Sequence, residues 1–108
     1  MAWLVLFVAG LCEIAWAVGL KYSAGLTRPG PTAFTAVMLV ASMALLGIAL
    51  RTLPLGSAYA IWTGIGSIGT ALFGIALFRE PASALRLACI ALIVAGIVGL
   101  KVATPAEG

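Results

Sequence analysis

The chain has 108 residues, of which 64% are hydrophobic and 8% charged, with a formal net charge of +3 and a mean hydropathy of +1.25. Soluble domains are only about half apolar, so this composition excludes a soluble globular domain. The three acids and the absence of histidine leave too few ligands for a metal cage; no cofactor is expected, and nothing in the chain points to an enzyme.

Four apolar runs consume nearly the whole length, each long enough to cross the hydrocarbon core as a helix. The expected architecture is all-α: one four-helix transmembrane domain over residues 1–108, with helices near 2–20, 32–50, 55–78 and 83–102. A strand reading fails, because the runs lack period-two alternation and exceed the length of barrel strands. The six Lys and Arg stand singly at the ends of the runs, where they meet water and headgroups, so the basic balance does not imply a nucleic-acid partner.

The first run, Ala2 to Leu20, lacks a basic leader and is too long for a signal-peptide core, so it is expected to be retained. It contains Glu13, the only acid within any apolar run. At about 1.5 Å per residue, Glu13 lies roughly 16 Å from one helix end and about 10 Å from the other, too deep to snorkel. An intramembrane carboxylate is costly and by default functional. Proton and cation compete for its oxygens, and that competition suffices for coupled exchange. Leu6, Ala9, Gly10, Trp16, Ala17 and Leu20 share its helix face; Ala9 and Gly10 leave space and Trp16 offers a wall. Glu80 and Glu107 read as solvated loop and tail residues. Cys12 reads as a buried small residue, as does Cys89 in the fourth run.

Lys21 ends the first helix, and Gly25, Pro29, Gly30 and Pro31 read as a turn-rich connection. The second run, Thr32 to Leu50, carries one mid-run hydroxyl, Ser42, whose common fate is a bond to its own helix. Arg51-Thr52-Leu53-Pro54 is so short a link that helices 2 and 3 are expected to be antiparallel neighbours. In the third run, Leu55 to Phe78, Tyr59, Trp62 and Thr63 cluster within about a turn. Their rings can box a cation, and the indole N–H or phenol can orient a carboxylate. Gly64 and Gly66 allow either a bend or tight packing.

The fourth run, Ser83 to Val102, carries Ala91, Ala95 and Gly99 at four-residue spacing with Gly96 beside them, a smooth stripe suited to close helix packing. Lys101 reads as a snorkelling residue or as the partner of an acid. Four thin helices enclose little volume, so a transport cavity forms more easily between two chains, joined partly through this stripe. Lys21, Arg28, Arg79 and Arg86 on one side face Arg51, Lys101 and the α-amino group on the other, a weak orientation signal.

Residues 10–29, GLCEIAWAVGLKYSAGLTRP, and residues 53–66, LPLGSAYAIWTGIG, resemble the small multidrug resistance family over essentially the whole chain. Trp16, Gly19-Leu20-Lys21-Tyr22-Ser23, Thr63-Gly64-Ile65-Gly66, Gly69 and Gly99-Leu100-Lys101 resemble its guanidinium exporter subtype. The resemblance implies a bacterial inner-membrane antiporter of guanidinium and protons, working as an antiparallel, dual-topology homodimer around two copies of Glu13. It further implies Glu13 as proton and substrate ligand, Ser42 as its hydrogen-bond partner, Trp16 and Trp62 as pocket walls, Tyr59 as a gating or carboxylate-orienting residue, and Gly10 and Ala60 as lining. The competing expectations are a multidrug or quaternary ammonium exporter of the same fold, a rotary proteolipid subunit, and a purely structural membrane subunit.

Overall fold

The computed structural model describes residues 1–104; Glu107 lies outside them. It contains α1 (Ala2–Tyr22), α2 (Pro29–Ala49), α3 (Leu55–Phe78) and α4 (Ala84–Ala103). All 4 are long and apolar enough to cross a membrane.

Two boundaries differ from the sequence reading by more than one residue. The α1 helix continues two residues past Leu20, and α2 begins at Pro29 rather than Thr32. Pro29-Gly30-Pro31 is the first turn of α2 and not part of the connection. Arg28, in extended geometry, is the N-cap, and the amide of Thr32 closes the first bond onto its carbonyl at 3.0 Å. Prolines fit here because the first amides of a helix have no intrahelical acceptor to lose. The remaining connection turns on Ala24, Gly25 and Leu26, all at positive φ (50°, 76° and 69°). Ser23 organises this turn: its buried hydroxyl donates to the Leu20 carbonyl at 2.6 Å and accepts from the Leu26 amide at 3.0 Å.

The order of packing departs further from expectation. Helix α1 packs most extensively on α2 and then on α3, whereas α2 and α3, although joined by a short link, touch sparsely. A short link constrains only the ends it joins. The core therefore runs along α1 and its two flanks: Leu6 and Ala9 of α1, Leu46 and Ala49 of α2, Leu53 of the link, and Ala58, Ile61 and Trp62 of α3.

Helix α4 packs only on α3, and among the described residues none of its side chains is buried. Ser83 caps it, accepting from the Arg86 amide at 3.2 Å, as Ser does at a free helix N-terminus. Cys89 is exposed on this helix rather than buried, and Cys12 is half-buried; both are free thiols. The protomer is a slab of 42 × 34 × 17 Å. With helices about 10–12 Å across, it is less than two helices thick.

Candidate functional site

Glu13 faces α3 at a place where that helix has no side chain. A Cβ at Gly66 would collide with the Glu13 carboxylate, so the acid is seated against bare α3 backbone. Ile14 is seated in the same way on Gly69, one turn further on, and Gly10 on the other side of Glu13 is closed off by Ile65 of α3. The α1–α3 contact is thus built from small residues answering large ones, which brings the two backbones close around the acid. Gly64 does not belong to this seam: it faces Ile93 and Ile97 of α4. Of the two readings of the α3 glycines, tight packing is the one observed, within a single continuous helix.

Oxygen Oε1 of Glu13 is buried and has no hydrogen-bond partner among the described residues. The donors expected for it are engaged elsewhere. Ser42 is fully buried, and its single O–H donates to the carbonyl oxygen of Ala9 at 2.7 Å. The indole N–H of Trp62 donates to the Ser42 oxygen at 3.0 Å. Since each group has one hydrogen to give, neither can serve the carboxylate in this conformation. Ser42 therefore neither bonds its own helix nor reaches Glu13; it bridges α1 to α3.

That bridge still acts on Glu13, through the backbone. In an α-helix the carbonyl of Ala9 accepts the amide of the residue four positions on, and that residue is Glu13. Trp62, Ser42 and Ala9 thus form a buried chain from α3 through α2 to α1 ending on the turn that carries the acid. Away from water such bonds pin helix register, because breaking them strands a polar group in an apolar setting.

The other expected site residues fall around this core. Tyr59 packs its ring on Trp62, centroids 5.5 Å apart and tilted 53°, but is itself exposed, as is Ala60. Trp16 is half-buried one turn beyond Glu13 on α1, and its buried indole nitrogen has no partner among the described residues. Ala91, Ala95, Gly96 and Gly99 are exposed on α4, and a Cβ added at Gly96 or Gly99 would meet nothing within 4 Å among the described residues. A cavity of about 300 Å³ lies beside the site, lined by Leu11, Ile14, Ala15, Val18, Phe34 and Phe73. It is apolar throughout and does not include the acid.

The role of Gly66 as the seat of Glu13 was not legible as such. Its signal was the three-residue spacing of Gly66 and Gly69, which places both on one face of α3. Glu80 is also less simply solvated than expected: its carboxylate folds over Gly74 and pairs with Arg86 at 2.9 Å.

The first of four apolar helices thus carries a half-buried carboxylate with one buried oxygen that has no hydrogen-bond partner among the described residues, and an aromatic–hydroxyl bridge stands behind it. Residues 1–93 match the family described as Small Multidrug Resistance protein. The chain belongs to the small multidrug resistance family. A guanidinium exporter of Proteus vulgaris is 56% identical over 104 residues, covering 96% of this chain and 100% of that protein. The guanidinium exporter of Escherichia coli (strain K12) is 53% identical over 104 residues, covering 96% and 99%. That of Citrobacter freundii is 54% identical with the same coverage. The small multidrug resistance fold accounts for the four spans, and the chain is a multi-pass membrane protein.

Proposed function

We propose that this protein exports guanidinium across the bacterial inner membrane in exchange for protons, by alternating access, as an antiparallel homodimer and without catalysing a reaction. The observation that carries the reading is the buried Oε1 of Glu13, aimed at the bare backbone of Gly66 without a hydrogen-bond partner among the described residues. A carboxylate held so takes up either a proton or a cation, and the uncompensated anion is disfavoured from crossing. Guanidinium is planar with N–H donors around its edge and pairs with carboxylate oxygens in two-pronged fashion. The relatives named guanidinium exporters, alike over nearly their whole length, support the same substrate. A slab 17 Å thick, less than two helices deep, leaves the acid with little protein on its outer side, which supports a site completed by a second copy with two Glu13 residues facing one chamber. Trp16, Trp62 and Tyr59 wall that chamber, with Gly10 and Ala60 at its margins.

Proteoliposomes test it. An outward guanidinium gradient is expected to drive protons inward, and Glu13→Gln to abolish both movements; exchange that persists in Glu13→Gln rejects the mechanism. The apolar cavity beside the acid favours a second reading, export of bulkier hydrophobic cations. Transport of an aromatic quaternary ammonium ion in clear preference to guanidinium would establish that reading instead.

A further inference from the structure

A second cavity, of about 170 Å³, opens between α1, α3 and α4 and is lined by Trp3, Leu6, Phe7, Ile61, Ile65, Ile97 and Lys101. Its walls are hydrocarbon and aromatic, and among the described residues its one charged group is Lys101. The ammonium lies 5.1 Å from the centroid of the Trp3 ring, and no carboxylate among the described residues pairs with it. A π-face holds a cation without accepting its three N–H bonds, so the ammonium stays available at the rim. The crevice exists because the backbone of α4 comes close to α3 and not to α1, leaving a wedge that Lys101 spans by reaching over Trp3. Beyond Lys101, Thr104, the C-cap of α4, bonds Ser57 of α3 at 3.0 Å, which keeps this end of the wedge from splaying.

We infer that this crevice is a binding site for an anionic phospholipid, with part of one acyl chain lying against Ile61, Ile65 and Ile97 and the phosphate on Lys101. The chemistry selects this occupant. A cationic substrate is repelled by the lysine, and a water-soluble anion has nothing to gain from the apolar walls. A lipid satisfies both, since basic pockets between membrane helices recognise anionic headgroups. A second copy of the chain docking through the α4 stripe leaves the crevice open. Ile97 stands two positions from both Ala95 and Gly99, and Lys101 two positions from Gly99, about 200° around the helix in each case, so the crevice residues face away from Ala95 and Gly99.

Trp3 reports on the site directly. The protein is reconstituted in phosphatidylcholine with increasing fractions of phosphatidylglycerol or phosphatidylcholine brominated on the acyl chains, and the Trp3 signal is taken as the difference from Trp3→Phe. The anionic lipid is expected to quench Trp3 at a mole fraction about fivefold lower than the neutral one, the preference one lysine at a membrane surface supplies. Lys101→Gln should remove the preference and Lys101→Arg keep it. Ile97→Phe, which fills the crevice, should reduce quenching by both lipids. Equal quenching by the two lipids, a preference that survives Lys101→Gln, or quenching indifferent to Ile97→Phe would each overturn the site. So would no quenching by either lipid, which would mean that protein closes the crevice.

Discussion

The hydroxyl of Ser42 donates to the carbonyl oxygen of Ala9, 2.7 Å away on the neighbouring helix, and thereby holds the turn that carries Glu13. Ser42→Ala is expected to leave Ala9 with its intrahelical bond alone and to strand the buried indole N–H of Trp62. The cost should be about 1–3 kcal/mol for an orphaned buried donor, read as a lowered unfolding midpoint in detergent. Guanidinium exchange should fall together with stability, because the loss acts on the position of α1. Full stability with lost exchange would instead mean that the hydroxyl contacts substrate.

Gly66 and Gly64 lie two positions apart on α3 and should respond differently to the same methyl group. At Gly66 the added Cβ runs into the Glu13 carboxylate and its Cγ, while at Gly64 it meets the Cδ1 and Cγ1 of Ile97 at 2.8 and 2.9 Å, a less severe overlap and one that leaves the acid untouched. Overpacking at Gly66, worth about 1–3 kcal/mol, is expected to reduce guanidinium exchange about tenfold or more, and Gly64→Ala considerably less. Equal effects in a transport assay would show that Glu13 is not seated on this backbone during turnover.

Competition between proton and cation at Glu13 fixes the sign of the pH dependence. Guanidinium binding is expected to weaken as pH falls, by about tenfold per pH unit for each proton displaced, and to level off once the carboxylate is ionised throughout. Calorimetric titration across a pH series reads the slope. Affinity independent of pH would separate substrate binding from protonation and reject coupled exchange at this residue.

Gly99→Leu addresses the α4 stripe separately from the fold. Among the described residues nothing lies within 4 Å of a Cβ at Gly99, so the substitution should leave helix content and melting of the protomer unchanged while abolishing crosslinked dimers in detergent. Dimers that persist would place the contact on another face.

The Glu80–Arg86 pair joins the end of α3 to the start of α4, but its side chains are 37% and 44% exposed, the arginine first. Water screens such pairs, and removing it by Arg86→Ala is expected to change stability by less than about 1 kcal/mol. The backbone already terminates α3: Arg79 is left-handed at φ 56°, and the Glu80 amide donates to the Gly74 carbonyl at 3.2 Å. A large destabilisation in thermal unfolding would mean that the ion pair, rather than this cap, holds the α3–α4 corner.

Much of the site was legible because membrane chemistry makes its residues conspicuous. An acid within an apolar run stands out without any neighbour being known, as do a lone mid-run hydroxyl at Ser42 and a tryptophan well inside a span at Trp62. Partners were harder to read. Ser42 was expected to bond Glu13, and the indole of Trp62 or the phenol of Tyr59 to orient the carboxylate, yet the hydroxyl and indole close a chain onto Ala9, whose backbone carbonyl looks the same in every helical residue. Helices 2 and 3 were expected to pair because their link is short, yet α1 takes most of the contact of both.

From the amino acids alone followed the four spans, the isolated acid and the small-residue faces, because hydropathy and helical spacing are local and each run must satisfy its own backbone bonds in lipid. Which helices meet, that Gly66 rather than a polar group receives Glu13, and that Lys101 lies over Trp3 at the mouth of a crevice were decided by tertiary packing. Those outcomes depend on the fit of side-chain volumes between segments distant in the chain, and no single apolar run contains that information.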